Sequence, residues 1–85
     1  MWHLYLVRCS DGSLYTGIST DVQRRLNAHQ QNRGARRLRG RGPLELVYSH
    51  AIGDRALALQ MEYRVKKLTK AEKESLVRGE VGLPA

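Results

Sequence analysis

The sequence lacks the features of a membrane or secreted protein. It contains a single cysteine, Cys9, and no apolar run of about 20 residues that could cross a bilayer. Its first residues lack the basic start and the small-residue cleavage site of a signal peptide. One cysteine cannot form an internal disulfide, so Cys9 is expected to be a small, partly buried apolar residue. We therefore expect a cytoplasmic protein in a reducing compartment, with no membrane partner.

Acidic residues are missing from one long stretch. Fifteen Lys and Arg against eight Asp and Glu give a net charge of +7, and no acid lies between Asp21 and Glu45. Arginine predominates there, and its planar guanidinium suits phosphate. Without an aromatic or bulky apolar face for lipid, the stretch predicts a nucleic-acid partner, with a solvated charged surface as the plain alternative. The arginines expected to bind nucleic acid are Arg24, Arg33, Arg36, Arg37, Arg39 and Arg41.

Length and composition favour one domain. The 85 residues, 41% hydrophobic and 27% charged, fit a single compact fold over residues 1–85 and leave no room for a second. The oligomeric state is left open by the sequence, with a monomer favoured. A zinc site is not expected, because His3, His29 and His50 lack ligand spacing and a cysteine pair.

Two strand-like segments, residues 2–9 and 13–19, flank a turn. Both are rich in β-branched and aromatic side chains. A three-residue loop with Gly12 in the left-handed conformation would put Tyr5 and Tyr15 on the same face of the hairpin. The pairs predicted by this register are Cys9 with Ser13, Val7 with Tyr15, and Tyr5 with Gly17.

Capping and periodic patterns predict the remaining elements. Thr20 and Gln23 have the spacing of a capping box, and Arg25 and His29 then lie one turn apart on the same side of a helix. The Arg-rich residues 34–42 are bracketed by glycines and predict a mobile basic loop with at most a short helical turn. A strand is predicted over 44–50, and a helix capped by Gly53-Asp54 follows it, with a buried stripe of Leu57, Met61, Val65 and Leu68. A short helix with a Thr69/Glu72 capping box is predicted to end near Gly79, and residues 80–85 are expected to form a frayed tail.

This order, β-β-α-β-α-α, predicts an α+β fold. The expected architecture is a small antiparallel or mixed three-stranded sheet flanked by helices.

An ordered set of residues resembles the GIY-YIG nuclease superfamily. Leu4-Tyr5 is followed ten residues later by Tyr15-Thr16-Gly17, and then by Arg25 and His29 on the next helix and Glu62 on a later one. Nearly the whole chain is similar to the small stand-alone YhbQ-like branch, which is related to the N-terminal domain of UvrC. The resemblance implies an endonuclease with a link to DNA repair.

The resemblance also implies a site. It implies hydrolysis of DNA, favoured over RNA, with one Mg²⁺ or Mn²⁺ held by Glu62. Because so small a domain has little area for reading base sequence, we expect it to act on branched, nicked or single-stranded structures. Arg25 would contact the transition-state oxygens, and His29 would take a proton. Tyr5 would be the general base or position the attacking water, and Tyr15 would orient water or phosphate. Gly17 would leave room beside Tyr5 for a phosphate or a water molecule.

Other interpretations of these residues stay open. Glu62 also has Lys66 four residues later, typical of a surface helix pair contributing about 0.3 kcal/mol, and the tyrosines could be core aromatics. No Asn follows Glu62, as it does in many members of the superfamily, and Glu74 lies in about that region. The alternative function is a non-catalytic nucleic-acid-binding module that uses the Arg-rich loop. A third is an adaptor that binds an acidic protein.

Overall fold

The computed structural model describes residues 1–31, 38 and 40–84, and within them the secondary structure follows the predicted order. The three strands form one antiparallel sheet in the order β2-β1-β3, so β1 is central. The α+β prediction is therefore confirmed, with an antiparallel rather than a mixed sheet. The elements are β1 Trp2–Arg8, β2 Leu14–Ser19, α1 Val22–Gln30, β3 Glu45–Gly53, α2 Arg55–Lys66 and α3 Lys70–Val77.

The first hairpin has the predicted register. Tyr5 lies opposite Gly17, and Val7 lies opposite Tyr15. The Cys9 N–H donates to the carbonyl oxygen of Ser13 at 2.9 Å, and the loop turns at a glycine with φ of +86°, Gly12. Since this conformation is left-handed, glycine is the residue that adopts it without strain.

Both faces of β1 are buried because side chains alternate along a strand. Leu4 and Leu6 point to one face, here called the α2/α3 face, and pack with Val65 and Leu76. Tyr5, Val7 and Cys9 point to the other, here called the α1 face. The residues that pack on them are Leu38 and Leu44 from the segment before β3, Val22 and Leu26 from α1, and Tyr15 and Leu46 from the neighbouring strands.

The predicted start of α1 is one residue too early. Asp21, not Thr20, is the N-cap residue, and its side chain accepts a hydrogen bond from the Arg24 N–H at 3.1 Å. Ser19 hydrogen-bonds the backbone of Asp21 and fixes the approach to the helix. A carboxylate at this position satisfies an N-terminal N–H directly, so the Thr20/Gln23 box is not used.

The third strand begins one residue later than predicted, at Glu45, and ends three residues later, at Gly53. Pairing with β1 extends as far as Trp2 opposite Gly53. The sequence pattern ended earlier because Ser49 and Ala51 are small and exposed, whereas backbone pairing does not depend on side-chain type.

The buried stripe of α2 contains a different first residue from the one predicted. Leu57 is 50% exposed and Ala58 is fully buried. Val65 is buried as predicted, whereas Met61 is only half-buried, and Leu68 is half-buried and lies beyond the end of the helix at Lys66. Both choices fit a helical period, and the smaller side chain occupies the position that faces the sheet. The predicted cap is correct, since Asp54 accepts from the Leu57 N–H at 2.9 Å.

The last helix has the predicted capping box between Thr69 and Glu72, with hydrogen bonds of 3.1 and 2.9 Å. It ends at Val77, before a glycine with φ of +75°, Gly79. The residues after it differ from the frayed tail that we expected. Leu83 packs against the core of the α2/α3 face, because burying this apolar side chain is more favourable than leaving it in water.

Candidate active site

The centre of the site is a buried hydrogen bond between β1 and α1. The Tyr5 hydroxyl lies 3.0 Å from Nε2 of His29, and each residue is only 1% exposed. Tyr5 reaches this position because β1 directs it to the α1 face, and His29 faces it from the last turn of α1. A tyrosine from the central strand is therefore held against an imidazole.

Tyr5 packs closely against Gly17, as the hairpin register requires. A Cβ added at Gly17 would lie 2.5 Å from both Cζ and the hydroxyl oxygen of Tyr5, which is closer than real side-chain contacts allow. The position of the missing side chain is thus occupied by the phenol ring, so Gly17 allows Tyr5 to approach the backbone of β2.

The surroundings of Tyr5 oppose its ionisation. Burial and then the neighbouring Tyr15 raise the pKa of Tyr5 to about 12, although the hydrogen bonding and charge of Arg25 act in the opposite direction. Burial and the charge of Arg25 also lower the pKa of His29. At neutral pH the pair is therefore a protonated phenol and a neutral imidazole, and the Tyr5 O–H can donate to an unprotonated Nε2.

Tyr15 completes a group of three rings. Its ring centroid lies 6.4 Å from that of Tyr5 and 5.7 Å from that of His29, with an edge-on arrangement of 73° to the imidazole. Tyr15 is only half-buried, unlike the other two. Its hydroxyl is therefore better placed than that of Tyr5 to meet groups from solution.

Arg25 and Glu62 come to Tyr5 from two helices. Arg25 lies on α1 and Glu62 on α2, and both act electrostatically on the phenol of Tyr5. The Glu62 side chain is 19% exposed and forms the ordinary helix pair with Lys66 at 3.5 Å. The fold thus gathers Tyr5, Tyr15, Arg25, His29 and Glu62, which are far apart in sequence, around one phenol.

The donor set at Glu62 fits a hard divalent ion that keeps most of its water ligands. Mg²⁺ commonly uses one or two carboxylates and retains several waters, so a single accessible carboxylate is sufficient. Among the described residues no group of three or more His, Cys, Asp or Glu side chains converges on one point. The residues therefore suit a partly hydrated ion better than an ion enclosed by protein ligands.

Glu74 forms ion pairs that connect α3 to the central strand. Both of its carboxylate oxygens accept hydrogen bonds from Arg8 of β1, at 2.7 and 2.8 Å, and Lys70 donates to it at 2.8 Å. These bonds, first from Arg8 and then from Lys70, hold the pKa of Glu74 at about 2. Glu74 joins α3 to the central strand, and this role differs from that of a residue supporting a metal beside Glu62.

Two of the predicted nucleic-acid-binding arginines lie on described parts of the surface. Arg24 is exposed and lines an open depression together with Arg25 and Ser19. Arg41 is exposed and lies 3.4 Å from Asp11, which tethers it to the tip of the hairpin. The other four, Arg33, Arg36, Arg37 and Arg39, lie outside the described residues.

The sequence interpretation missed two residues that support the site. Leu38 is buried in the core of the α1 face together with Tyr5. Its burial could have been predicted, because it is the one large apolar residue in the arginine-rich segment. Gln30, at the end of α1, uses its side chain to bond both the N–H and the C=O of Leu44, at 3.2 and 2.8 Å. These contacts fix the end of α1, and hence His29, against the start of β3.

The chain is similar to known proteins over most of its length. A family model described as the GIY-YIG catalytic domain matches residues 1–75. A UPF0213 protein of Klebsiella pneumoniae is 60% identical over 79 residues, which cover 93% of this chain and 74% of that protein. The UPF0213 protein YhbQ of Escherichia coli K12 is 60% identical over 76 residues, or 89% of this chain and 76% of that one.

A solved structure is also similar. The solution NMR structure of a UPF0213 protein from Bacillus halodurans has 43% sequence identity and a TM-score of 0.60, covering 96% of this chain and 88% of that one. Within the described residues, no helix has the length and apolar character needed to cross a membrane. The chain belongs to the GIY-YIG family of nuclease domains, and within it to the UPF0213 proteins.

Proposed function

We propose that this protein is a divalent-metal-dependent endonuclease that hydrolyses phosphodiester bonds in DNA. The observation that carries the proposal is the buried 3.0 Å contact between the Tyr5 hydroxyl and His29 Nε2, with Arg25 and Glu62 acting on the same phenol. A nucleophile-activating pair, a cation and a lone accessible carboxylate are the three parts that phosphodiester hydrolysis requires.

The Tyr5–His29 pair would activate the attacking water by transferring a proton from the water to the Tyr5 oxygen and from the Tyr5 hydroxyl to His29. A free phenolate is disfavoured, because burial raises the Tyr5 pKa to about 12. The phenol oxygen would instead accept a proton from water while the phenol proton moves to the neutral Nε2 of His29. The water oxygen then forms its bond to phosphorus, the bond to the leaving oxygen breaks, and the leaving oxygen takes a proton from bulk water. Tyr5 ends the step as a neutral phenol and His29 as an imidazolium.

Arg25 and Glu62 would stabilise the charge that develops on the phosphate. The permanently charged, forked guanidinium of Arg25 suits two phosphoryl oxygens at once. Glu62 would hold one Mg²⁺ or Mn²⁺, and such an ion neutralises charge on the phosphate and the leaving oxygen. Release of Glu62 from Lys66 would cost little, because a helix ion pair of this spacing contributes only about 0.3–0.5 kcal/mol.

The substrate we propose is DNA with a branch, a nick or a single-stranded region, in the cytoplasm and in DNA repair. The net charge of +7 and the exposed Arg24 beside Arg25 support a polyanionic partner. A domain of 85 residues offers little area for reading base sequence, which favours recognition of structure.

A second candidate function is binding of nucleic acid without cleavage. It is favoured by one observation, the pairing of the Glu62 carboxylate with Lys66 at 3.5 Å, which occupies the proposed metal ligand. Both functions predict salt-sensitive binding, so products that depend on metal are needed to separate them.

The test is cleavage of end-labelled single-stranded, nicked and branched DNA in Mg²⁺ or in chelator. The wild type is compared with Glu62→Gln and with the control Glu45→Gln, an exposed carboxylate on β3. We expect cleavage in Mg²⁺ only, no cleavage by Glu62→Gln despite nearly unchanged binding, and wild-type cleavage by the control. Binding without metal-dependent products from the wild type would establish the binding module instead.

A further inference from the structure

The solvent side of α2 carries adjoining apolar side chains. Leu57, Leu59 and Tyr63 are 50%, 40% and 62% exposed, and all three belong to this helix. Leu59 and Tyr63 are four residues apart, so they are neighbours on the same side of the helix. Single exposed apolar residues are common on protein surfaces, whereas adjoining ones mark binding surfaces. Leu59 and Tyr63 are therefore a candidate contact for a partner.

Cations surround this apolar pair. Residues 55–67 contain four Lys and Arg and one acid, Glu62. The Nζ atom of Lys67 lies 4.3 Å from the centroid of the Tyr63 ring, and this cation–π contact restricts the orientation of an otherwise exposed side chain. Arg64 follows Tyr63 and is also exposed. We call Leu59, Tyr63, Arg64 and Lys67 the α2 ridge.

The chemistry of the α2 ridge fits a single-stranded nucleic acid. An aromatic ring with cations beside it is the arrangement by which proteins bind unpaired bases and the phosphates between them. In an intact duplex the bases stack on one another, so Tyr63 would have no open base to contact. An acidic peptide would bind the cations, but its carboxylates would give the Tyr63 ring nothing to stack on.

Glu62, the proposed metal ligand, adjoins the α2 ridge. Leu59 lies three residues before Glu62 and four before Tyr63, so it neighbours both on the helix surface, with Cβ atoms about 5–6 Å apart. The charge of Glu62 acts on Tyr5, whereas Tyr63 is largely exposed to solvent. A nucleotide whose base stacks on the ridge would therefore lie beside the carboxylate that is proposed to hold the metal.

We propose that the α2 ridge binds an unpaired base of single-stranded nucleic acid, which stacks on Tyr63 while Arg64 and Lys67 contact the adjoining phosphates. Leu59 packs against the apolar edge of the same base. The inference rests on the nuclease function proposed above in one respect, namely that the bound nucleotide lies next to the phosphate to be cut. It narrows the substrate to DNA with an unpaired segment, such as a single-stranded end or a strand at a branch.

The first experiment compares single-stranded with duplex DNA. Fluorescence anisotropy measures the affinity for a labelled oligonucleotide, alone or annealed to its complement, in chelator so that no metal-dependent cleavage occurs. We expect Tyr63→Ala to weaken binding of the single strand about tenfold, as for loss of one stacked base, and to change duplex binding less than about twofold. Tyr63→Phe keeps the ring, and the control Val81→Ala alters a residue that is 51% exposed after α3, so each should bind the single strand within about twofold of the wild type. Equal losses by Tyr63→Ala on both DNAs would overturn the proposal.

The second experiment tests whether a base, and not the phosphate chain, contacts Tyr63. An abasic oligonucleotide of the same length carries the same phosphates without bases. The wild type should bind it about tenfold more weakly than the ordinary strand, and Tyr63→Ala should lose most of that preference. Equal affinity of the wild type for the two oligonucleotides would overturn stacking. Displacement of the labelled strand by polyglutamate as readily as by unlabelled single-stranded DNA would overturn the proposal in favour of an acidic protein partner.

Cleavage in Mg²⁺ separates this proposal from the nuclease proposal. Tyr63→Ala should raise KM for single-stranded DNA about tenfold and leave kcat within about twofold, because stacking stabilises the ground state and the transition state alike. Circular dichroism and thermal melting check the fold of every variant. If the wild type binds but does not cut, the nuclease proposal fails and the anisotropy results still decide the α2 ridge. If it cuts and Tyr63→Ala has the affinity and KM of the wild type, the α2 ridge fails alone.

Discussion

The hydroxyl of Tyr5 and Nε2 of His29 lie 3.0 Å apart in a part of the molecule where both residues are almost fully buried. A proton leaving the phenol therefore has the imidazole nitrogen as a nearby acceptor. The bond also joins the central strand to the first helix. The proposed chemistry and the packing therefore involve the same two side chains.

Tyr5→Phe removes the hydroxyl and keeps the ring that fills the space over Gly17. We expect cleavage to slow about a hundredfold or more, an amount typical of lost proton transfer. The free energy of unfolding should fall by only about 1 kcal/mol, because one hydrogen bond is lost. Single-turnover cleavage and urea denaturation measure the two effects. Tyr48→Phe is the matched control, since Tyr48 is half-buried and packs on the α2/α3 face, and a similar loss of rate in that variant would contradict the role of Tyr5.

The pH dependence of cleavage should follow His29 and not Tyr5. Burial and Arg25 lower the pKa of His29 below its ordinary value of about 6.5. The neutral imidazole needed to accept a proton is therefore present at pH 7 and is lost only as pH falls below that ordinary value. Since burial holds the pKa of Tyr5 at about 12, kcat/KM should stay level between about pH 7 and pH 10. A tenfold rise per pH unit over that alkaline range would instead indicate attack assisted by a Tyr5 phenolate.

The Arg8–Glu74 ion pair should stabilise the fold and leave cleavage unchanged. Hydrogen bonds from Arg8 and Lys70 lower the pKa of Glu74 to about 2, so its stabilising effect is complete above about pH 4.5 and is lost as pH falls toward 2. Glu74→Gln should thus melt at a lower temperature than the wild type at pH 7, with the difference narrowing below about pH 4.5. Its cleavage rate at a temperature where both are folded should match the wild type. A metal-dependent defect in this variant would show that Glu74 serves the site.

The set of residues around Tyr5 was implied by the resemblance to the GIY-YIG superfamily. Local patterns in the sequence were sufficient to predict the hairpin register and the helix caps at Asp54 and Thr69. These features depend on neighbours in sequence or on strand alternation. Distances between elements were not predictable in the same way. How closely α2 packs on the sheet decides that Ala58 is buried and Leu57 is not. Leu38 lies among arginines in the sequence, so its position in the core could not be predicted without the three-dimensional packing.

The Arg-rich segment between α1 and β3 should contribute affinity and little chemistry. Neutralising Arg36, Arg37 and Arg39 together is expected to weaken binding of all DNA sequences alike. The slope of log K against log salt concentration should become shallower by the equivalent of about three phosphate contacts at most. Titrations at several salt concentrations measure the slope, and cleavage at saturating DNA should be nearly normal. An unchanged slope would place the main binding surface elsewhere.

Gly17→Ala tests whether the position of the Tyr5 ring, and not only its hydroxyl, is needed. A Cβ at Gly17 would lie 2.5 Å from both Cζ and the hydroxyl oxygen of Tyr5, so the ring must move away from β2. Because the ring is buried and bonded to His29, this movement should break the 3.0 Å contact. We expect a loss of about 1–3 kcal/mol in the free energy of unfolding, as for other overpacked cores.

Cleavage by Gly17→Ala should fall at least as far as in Tyr5→Phe, since displacement of the phenol removes the hydroxyl from His29 as fully as its deletion does. The matched control is Gly82→Ala, where an added Cβ meets nothing within 4 Å among the described residues and the backbone is not left-handed. The double variant Gly17→Ala/Tyr5→Phe should cut no more slowly than Gly17→Ala alone, because both changes remove the same hydrogen bond between the Tyr5 hydroxyl and His29. If the two losses of rate multiply instead, Gly17 acts on the substrate directly and not through Tyr5.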